Sequence, residues 1–240
     1  MRATILAVMT ACAAVNVTVI LRAQAPAPKT VWTGVYTSAQ ADRAQQTFDS
    51  ICTQCHTLAP GGATRGGAVS GDKFMAAFQQ KTVGDLLGYV SKNMPNGNGG
   101  SLAPSTYNDL VALILRANGF PAGTAEVTPA AVADVQIIPK DGPGELPANV
   151  LARVVGCLKK DGSDWVLENA TAPERIDKTG AGPNDATKPL GNKTFTLKFV
   201  LTRLDTYVGQ RLSASGMLIG AGGVDGINVT TVTRVAETCQ

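Results

Sequence analysis

Histidine is nearly missing from this sequence: His56 is the only one in 240 residues. That excludes a metal centre built on several imidazoles, and any proton relay between two of them. Aromatic residues make up 5% of the chain, too few to stud a base-stacking face. Charge of one sign is not gathered anywhere either. The 21 Lys/Arg are interspersed with 18 Asp/Glu, for a net charge of +3, so the basic cluster of a nucleic-acid binder is absent. Long apolar runs are confined to residues 3–21, and no second C-x-x-C follows the first.

What is present is Cys52-Thr53-Gln54-Cys55-His56. C-x-x-C-H is the spacing of c-type haem attachment: the two thiols add across the vinyl groups while the adjacent imidazole reaches the iron from below. Two other chemistries use parts of this pentapeptide. A zinc site needs further cysteines, but Cys12, Cys157 and Cys239 are scattered. A dithiol oxidoreductase needs the motif after a strand in a βαβ unit, whereas the residues before Cys52 have helical spacing. The motif therefore predicts one covalent haem c on Cys52 and Cys55, with His56 as metal ligand.

Arg2, the apolar run Ala3–Leu21 and the Ala23-Gln24-Ala25 box read as an export signal over residues 1–25. Arg22 and Pro26 fit cleavage poorly, which leaves an anchored form open. Export predicts a periplasmic or secreted location and an oxidising compartment. With Cys12 in the signal and Cys52 and Cys55 on haem, Cys157 and Cys239 remain to pair with each other, the alternative being two buried free thiols.

Residues 26–36 form a Pro/Ala spacer. Thr37-x-x-Gln40 is a capping box, and Ala41, Ala44, Phe48 and Ile51 recur at helical spacing, predicting a helix over 39–51 that delivers the chain into Cys52. A short helix is expected over 72–79, and another, opened by Thr82-x-x-Asp85, stops at Asn93-Met94-Pro95. Pro104-Ser105 opens a helix to Ala117 with Tyr107, Leu110, Val111 and Ile114 as its apolar stripe. Residues 121–149, rich in Pro, Ala and Gly, read as a linker in which Val135–Ile138 form a packed or edge-strand patch. From residue 150 the pattern changes to five β-rich runs, near 151–158, 165–167, 194–199, 211–219 and 227–235, separated by Gly/Asp/Asn turns, with a helical turn over 204–209. Five strands with a helical turn before the fourth predict a small closed, OB-like barrel. Its 11 Lys/Arg against 9 Asp/Glu and sparse aromatics favour a structural or docking role over nucleic-acid binding.

A six-coordinate haem needs a second axial ligand, and without another histidine the options are a thioether, a lysine, the N-terminal amine or none. Met94, in a Pro/Asn/Gly loop after a helix, is the best placed of five methionines. Met1 and Met9 lie in the signal, Met75 reads as core and Met217 belongs to the β-rich half.

Residues 30–120 resemble a small bacterial class I cytochrome c module: a helix running into C-x-x-C-H, a Gly/Pro loop, a helix ending at Met94-Pro95, and an aliphatic C-terminal helix with Tyr107 near its start. The resemblance implies thioethers at Cys52 and Cys55, His56 as proximal and Met94 as distal ligand, and the carbonyl of Pro60 as acceptor for the imidazole N–H. Ala44 stands where such modules usually carry glycine. Residues 150–240 resemble, less specifically, β-barrel modules of exported bacterial proteins.

The expected fold is thus α + β in separate domains: an all-α cytochrome c domain over 37–120, dependent on haem for its core, and a small antiparallel OB-like barrel over 150–240. The expected function is one-electron carriage between transiently docked redox partner proteins, with no enzymatic activity, no nucleic acid and no membrane contact beyond an anchor. A haem subunit of a quinoprotein-type dehydrogenase complex and a ligand-binding haem sensor are the alternatives.

Overall fold

The computed structural model describes residues 28–62, 65–220 and 225–239; the expected signal segment and Cys12 lie outside them. The described residues hold helices α1 (Ser38–Thr47), α2 (Asp72–Phe78), α3 (Val83–Asn93), α4 (Pro104–Ala117) and α5 (Pro129–Val132). Strands β1 (Leu151–Asp161), β2 (Asp164–Ala170), β3 (Glu174–Arg175), β4 (Lys193–Lys198), β5 (Arg211–Ile219) and β6 (Gly226–Ala236) follow. Among these residues no helix is long and apolar enough to cross a membrane.

Local chemistry sets the helix starts. Thr37 Oγ1 accepts the Gln40 N–H at the head of α1, and Thr82 with Asp85 forms a reciprocal capping box at the head of α3. α1 runs directly into a π-helical turn, Phe48–Cys52, where Thr53 N–H bonds Phe48 O at 3.1 Å. The wider turn rotates the chain just where the thiols begin. α1 lies on α4, with Ala41 and Ala44 buried and a forked Arg43–Asp109 ion pair at the edge.

The segment expected as a linker does not act as a loose spacer. Val127, Val132, Val135 and Ile137 are fully buried in the same core as α1, α3 and α4. Its backbone is stitched on two sides, by Val31 N–H to Gln136 O (3.0 Å) and Gln136 N–H to Lys29 O (2.8 Å), and by Val83 N–H to Val135 O and Ile137 N–H to Lys81 O (2.8 Å each). The buried Gln40 amide bonds both the carbonyl and the N–H of Val127. Extended pairing at Thr30, Thr82 and Gln136 is therefore part of the N-terminal core, which is not all-α.

The strands form one sheet in the order β2-β4-β6-β5-β1-β3, and a further β1–β2 pairing closes five of them into a ring. One edge of the long β1 pairs with β5, while β3 occupies the start of its other edge and β2 the end. The expected antiparallel barrel is corrected: β4 and β6 run parallel, with Thr196 opposite Gly226 and Leu197 opposite Ile227, so the sheet is mixed. An odd number of strands cannot alternate direction around a ring, so one neighbouring pair must be parallel. Between Ser215 and Gly216 the β5–β6 register shifts, and there the Asn228 carbonyl comes so close that only glycine fits. A disulfide joins Cys157 of β1 to Cys239 beyond β6, Cα–Cα 5.6 Å.

The expected separation into two domains is corrected as well, since helices and mixed sheet make one ordered region. Arg175 of β3 donates to Gln79 O (2.9 Å) and Ala76 O (3.0 Å), meeting the carbonyls at the C-terminal end of α2, and its N–H bonds Gln80 Oε1. A cation is favoured at that end of a helix. The sequence hides this contact because the two-residue β3 carries no alternating pattern.

Candidate functional site

Cys52 closes the π-helical turn, and the chain then tightens. Cys55 N–H and His56 N–H both bond Cys52 O, at 3.0 and 2.8 Å, which coils the pentapeptide into a single turn. Both cysteines are free and half-buried. Burial pushes the Cys52 thiol above its ordinary pKa, whereas the attacking cysteine of a dithiol oxidoreductase is depressed. Among the described residues, no cluster of three or more His, Cys, Asp or Glu gathers to hold a metal.

The imidazole is held from outside the motif. His56 Nδ1 lies 2.7 Å from the carbonyl of Gly67. A carbonyl only accepts, so Nδ1 carries the proton and Nε2 keeps its lone pair for a ligand. The carbonyl expected in this role was that of Pro60; the structure gives it to Gly67. Pro60 instead packs beside Gly71, where Gly61 N–H bonds Ser70 O. The Gly67 carbonyl reaches the ring because Arg65 and Gly66 donate their N–H groups to Cys55 O, folding residues 65–67 back over the motif. Gly66 lies flat against the imidazole, and a Cβ there would collide with ring atoms. Nothing in the sequence singles out these glycines within a Gly-rich run.

Met94 is the half-buried C-cap of α3, with its N–H closing the last turn on Val90 O at 3.0 Å. The buried Tyr107 hydroxyl donates to Met94 O (2.8 Å) and accepts the N–H of Leu102 (3.2 Å), tying both ends of the Met94 loop to α4. Sequence periodicity places Tyr107 in an apolar stripe and misses this task. The signal available was the hydroxyl itself, which needs partners when buried.

Two cavities meet at these residues. One, of about 250 Å³, is lined by Cys52, Cys55, Phe48, Leu102, Tyr107 and Leu110. The other, of about 440 Å³, is lined by Phe74, Phe78, Leu86, Ile114 and two lysines, Lys73 and Lys81. Both are also lined by His56, Met94, Val69 and Val90, so they are two ends of one apolar slot whose waist carries the imidazole and the thioether. The larger alone falls in the range of cofactor sites, roughly 300–1,000 Å³, and the smaller lies just below it. Two thiols at one end, a nitrogen and a sulfur donor at the middle and mostly aliphatic or aromatic walls fit a flat metallated macrocycle. Comparison of the chain with protein-family models, curated proteins and solved structures yields no match.

Proposed function

We propose that this chain is a monohaem c-type cytochrome that carries single electrons between redox partner proteins in an exported compartment. The observation that carries the reading is the shared waist of the two cavities: His56 and Met94 line both, with Cys52 and Cys55 at one end only. The reading rests on this site and not on the fold. When bound, the haem supplies reversible one-electron exchange at its iron, with no bond to a substrate made or broken.

The chain's residues have distinct tasks. Cys52 and Cys55 fasten the group by thioethers, so that it cannot dissociate. Gly67 holds the His56 ring through Nδ1, which leaves Nε2 as the nitrogen available to a ligand, and hydrogen bonding of Nδ1–H to a carbonyl would raise the basicity of that nitrogen. Tyr107 fixes the loop that offers the Met94 sulfur, a soft donor that favours the reduced metal. Phe48, Val69, Val90 and Leu110 keep water from the metal face and so also favour the state of lower charge. The Cys157–Cys239 disulfide supports an oxidising location.

The test is expression in a host competent in cytochrome maturation, read by intact mass and visible spectrum. The expected protein is coloured and carries one added haem. His56→Ala is expected to lose mature haem, and Met94→Ala to keep covalent haem while losing the long-wavelength ferric band of thioether ligation. A colourless wild-type protein of unmodified mass overturns the proposal. Carbon monoxide binding to the reduced wild type at neutral pH would assign an open sixth position and so a ligand-binding role.

A further inference from the structure

The slot has chemically different ends. Cys52 and Cys55 line the smaller cavity; Lys73 of α2 and Lys81, just before α3, line the larger one, and His56 and Met94 stand between. Among the described residues neither lysine has a carboxylate partner, Lys81 only resting over the Phe78 ring at 5.7 Å. In the strands, by contrast, Lys159, Lys160, Lys193 and Lys198 each face an acidic side chain, as does Lys188 in the loop before β4. Lys73 is exposed and Lys81 half-buried, so two ammonium groups without carboxylate partners at the rim of a largely apolar cavity make a place for anions.

Haem is asymmetric in the same sense. Its vinyl groups sit on one half of the macrocycle and its two propionates on the other, with the iron between. A ring fastened through its vinyl carbons at Cys52 and Cys55, with iron between His56 and Met94, must direct its propionates into the larger cavity. We propose that Lys73 and Lys81 form the propionate anchor of this protein, each ammonium donating to a carboxylate. The proposal rests on the haem reading above. The other titratable groups on this cavity are Asp85, whose carboxylate accepts from Thr82 at the α3 cap, Tyr89, and His56 at the waist.

As positioning residues, the lysines act on the metal through the charge they neutralise. Paired propionates stay ionised at mildly acidic pH, and their negative charge is cancelled. Without the lysines they titrate in the ordinary carboxylate range, and their uncompensated charge favours ferric iron as pH rises. The experiment uses the mature wild type, Lys73→Gln/Lys81→Gln, Lys73→Arg/Lys81→Arg, and Lys92→Gln as a charge control on α3 outside the slot. Each is read by intact mass and by potentiometric titration from pH 4.5 to 8. The expected wild-type midpoint is nearly independent of pH. The Gln pair keeps its covalent haem, and at neutral pH its reduced-to-oxidised ratio at fixed poise falls roughly threefold to tenfold (tenfold being 59 mV for one electron), with a new slope at acidic pH. The Arg pair restores the wild-type profile and Lys92→Gln leaves it unmoved. A wild type whose propionate infrared bands titrate in the ordinary carboxylate range overturns the anchor even if the variants fail to fold. So does a haem-loaded Gln pair with an unchanged profile. A wild type without haem overturns the underlying reading instead, so the two failures are distinguishable.

Discussion

The helical and β-rich regions use the same side chain in opposite ways. Cys52 and Cys55 sit three residues apart on one turn, remain free thiols and line a cavity; Cys157 and Cys239, 82 residues apart, close on each other. The difference extends to the surroundings. The β-rich region pairs its strands with one another in a closed ring and meets several of its lysines with carboxylates. The helical region lines one slot with two thiols, an imidazole and a thioether, and sets two lysines without carboxylate partners at its rim. The fate of each cysteine is thus read from its neighbours: two thiols on one turn beside an apolar cavity stay free, while two far apart along the chain and adjacent in space close into a staple.

The sharpest way to break this comparison is to remove the staple. Cys157→Ser/Cys239→Ser is expected to lower stability by about 4 kcal/mol, the chain-entropy value for a loop of this size. Urea unfolding of the β signal checks it, and the visible spectrum of the haem-loaded protein should not change. Next in size is the joint between the regions. Arg175→Ala removes the donors to Gln79 O and Ala76 O and is expected to cost about 2 kcal/mol. Calorimetry should then show the single transition splitting into two.

Tyr107→Phe sharpens the comparison on the helical side. It removes two hydrogen bonds from the Met94 loop, costs about 1–2 kcal/mol, and should weaken the ferric thioether band while leaving the β signal untouched. The smallest effect is electrostatic. Burial alone would raise the Glu174 carboxyl, but hydrogen bonds from Lys188 and Arg153 outweigh it and hold its pKa below the ordinary value. A carboxylate depressed in the folded state contributes its full stability above its unfolded pKa and loses it as pH falls through the folded one. Acid unfolding of Glu174→Gln should therefore be less steep below about pH 4.5. Partial exposure screens the pair, so the gap should be small.

Much of this architecture is written locally. Thr37 and Thr82 announce their helices because capping is a matter of three or four residues, and C-x-x-C-H stands out as a motif because its five residues are contiguous. The runs rich in β-branched residues mark five of the six strands. Pairing order is not local: nothing in β4 or β6 says that they run side by side in the same direction. The Pro/Ala/Gly composition of 121–149 reads as a spacer, because Val127, Val132, Val135 and Ile137 follow no single period, yet all four are buried. The Gly67 carbonyl is invisible for a similar reason. A backbone acceptor carries no side-chain signature, and the prolyl carbonyl expected from the resemblance lies in the wrong part of the loop.

The parallel pair has a consequence for the order of events in the cell. β6, the last of the described strands, lies between β4 and β5, so the ring stays open on both those edges until this strand has been made. During synthesis, two sticky borders await one late arrival, and any stop codon upstream of Gly226 would leave both bare for another polypeptide to occupy.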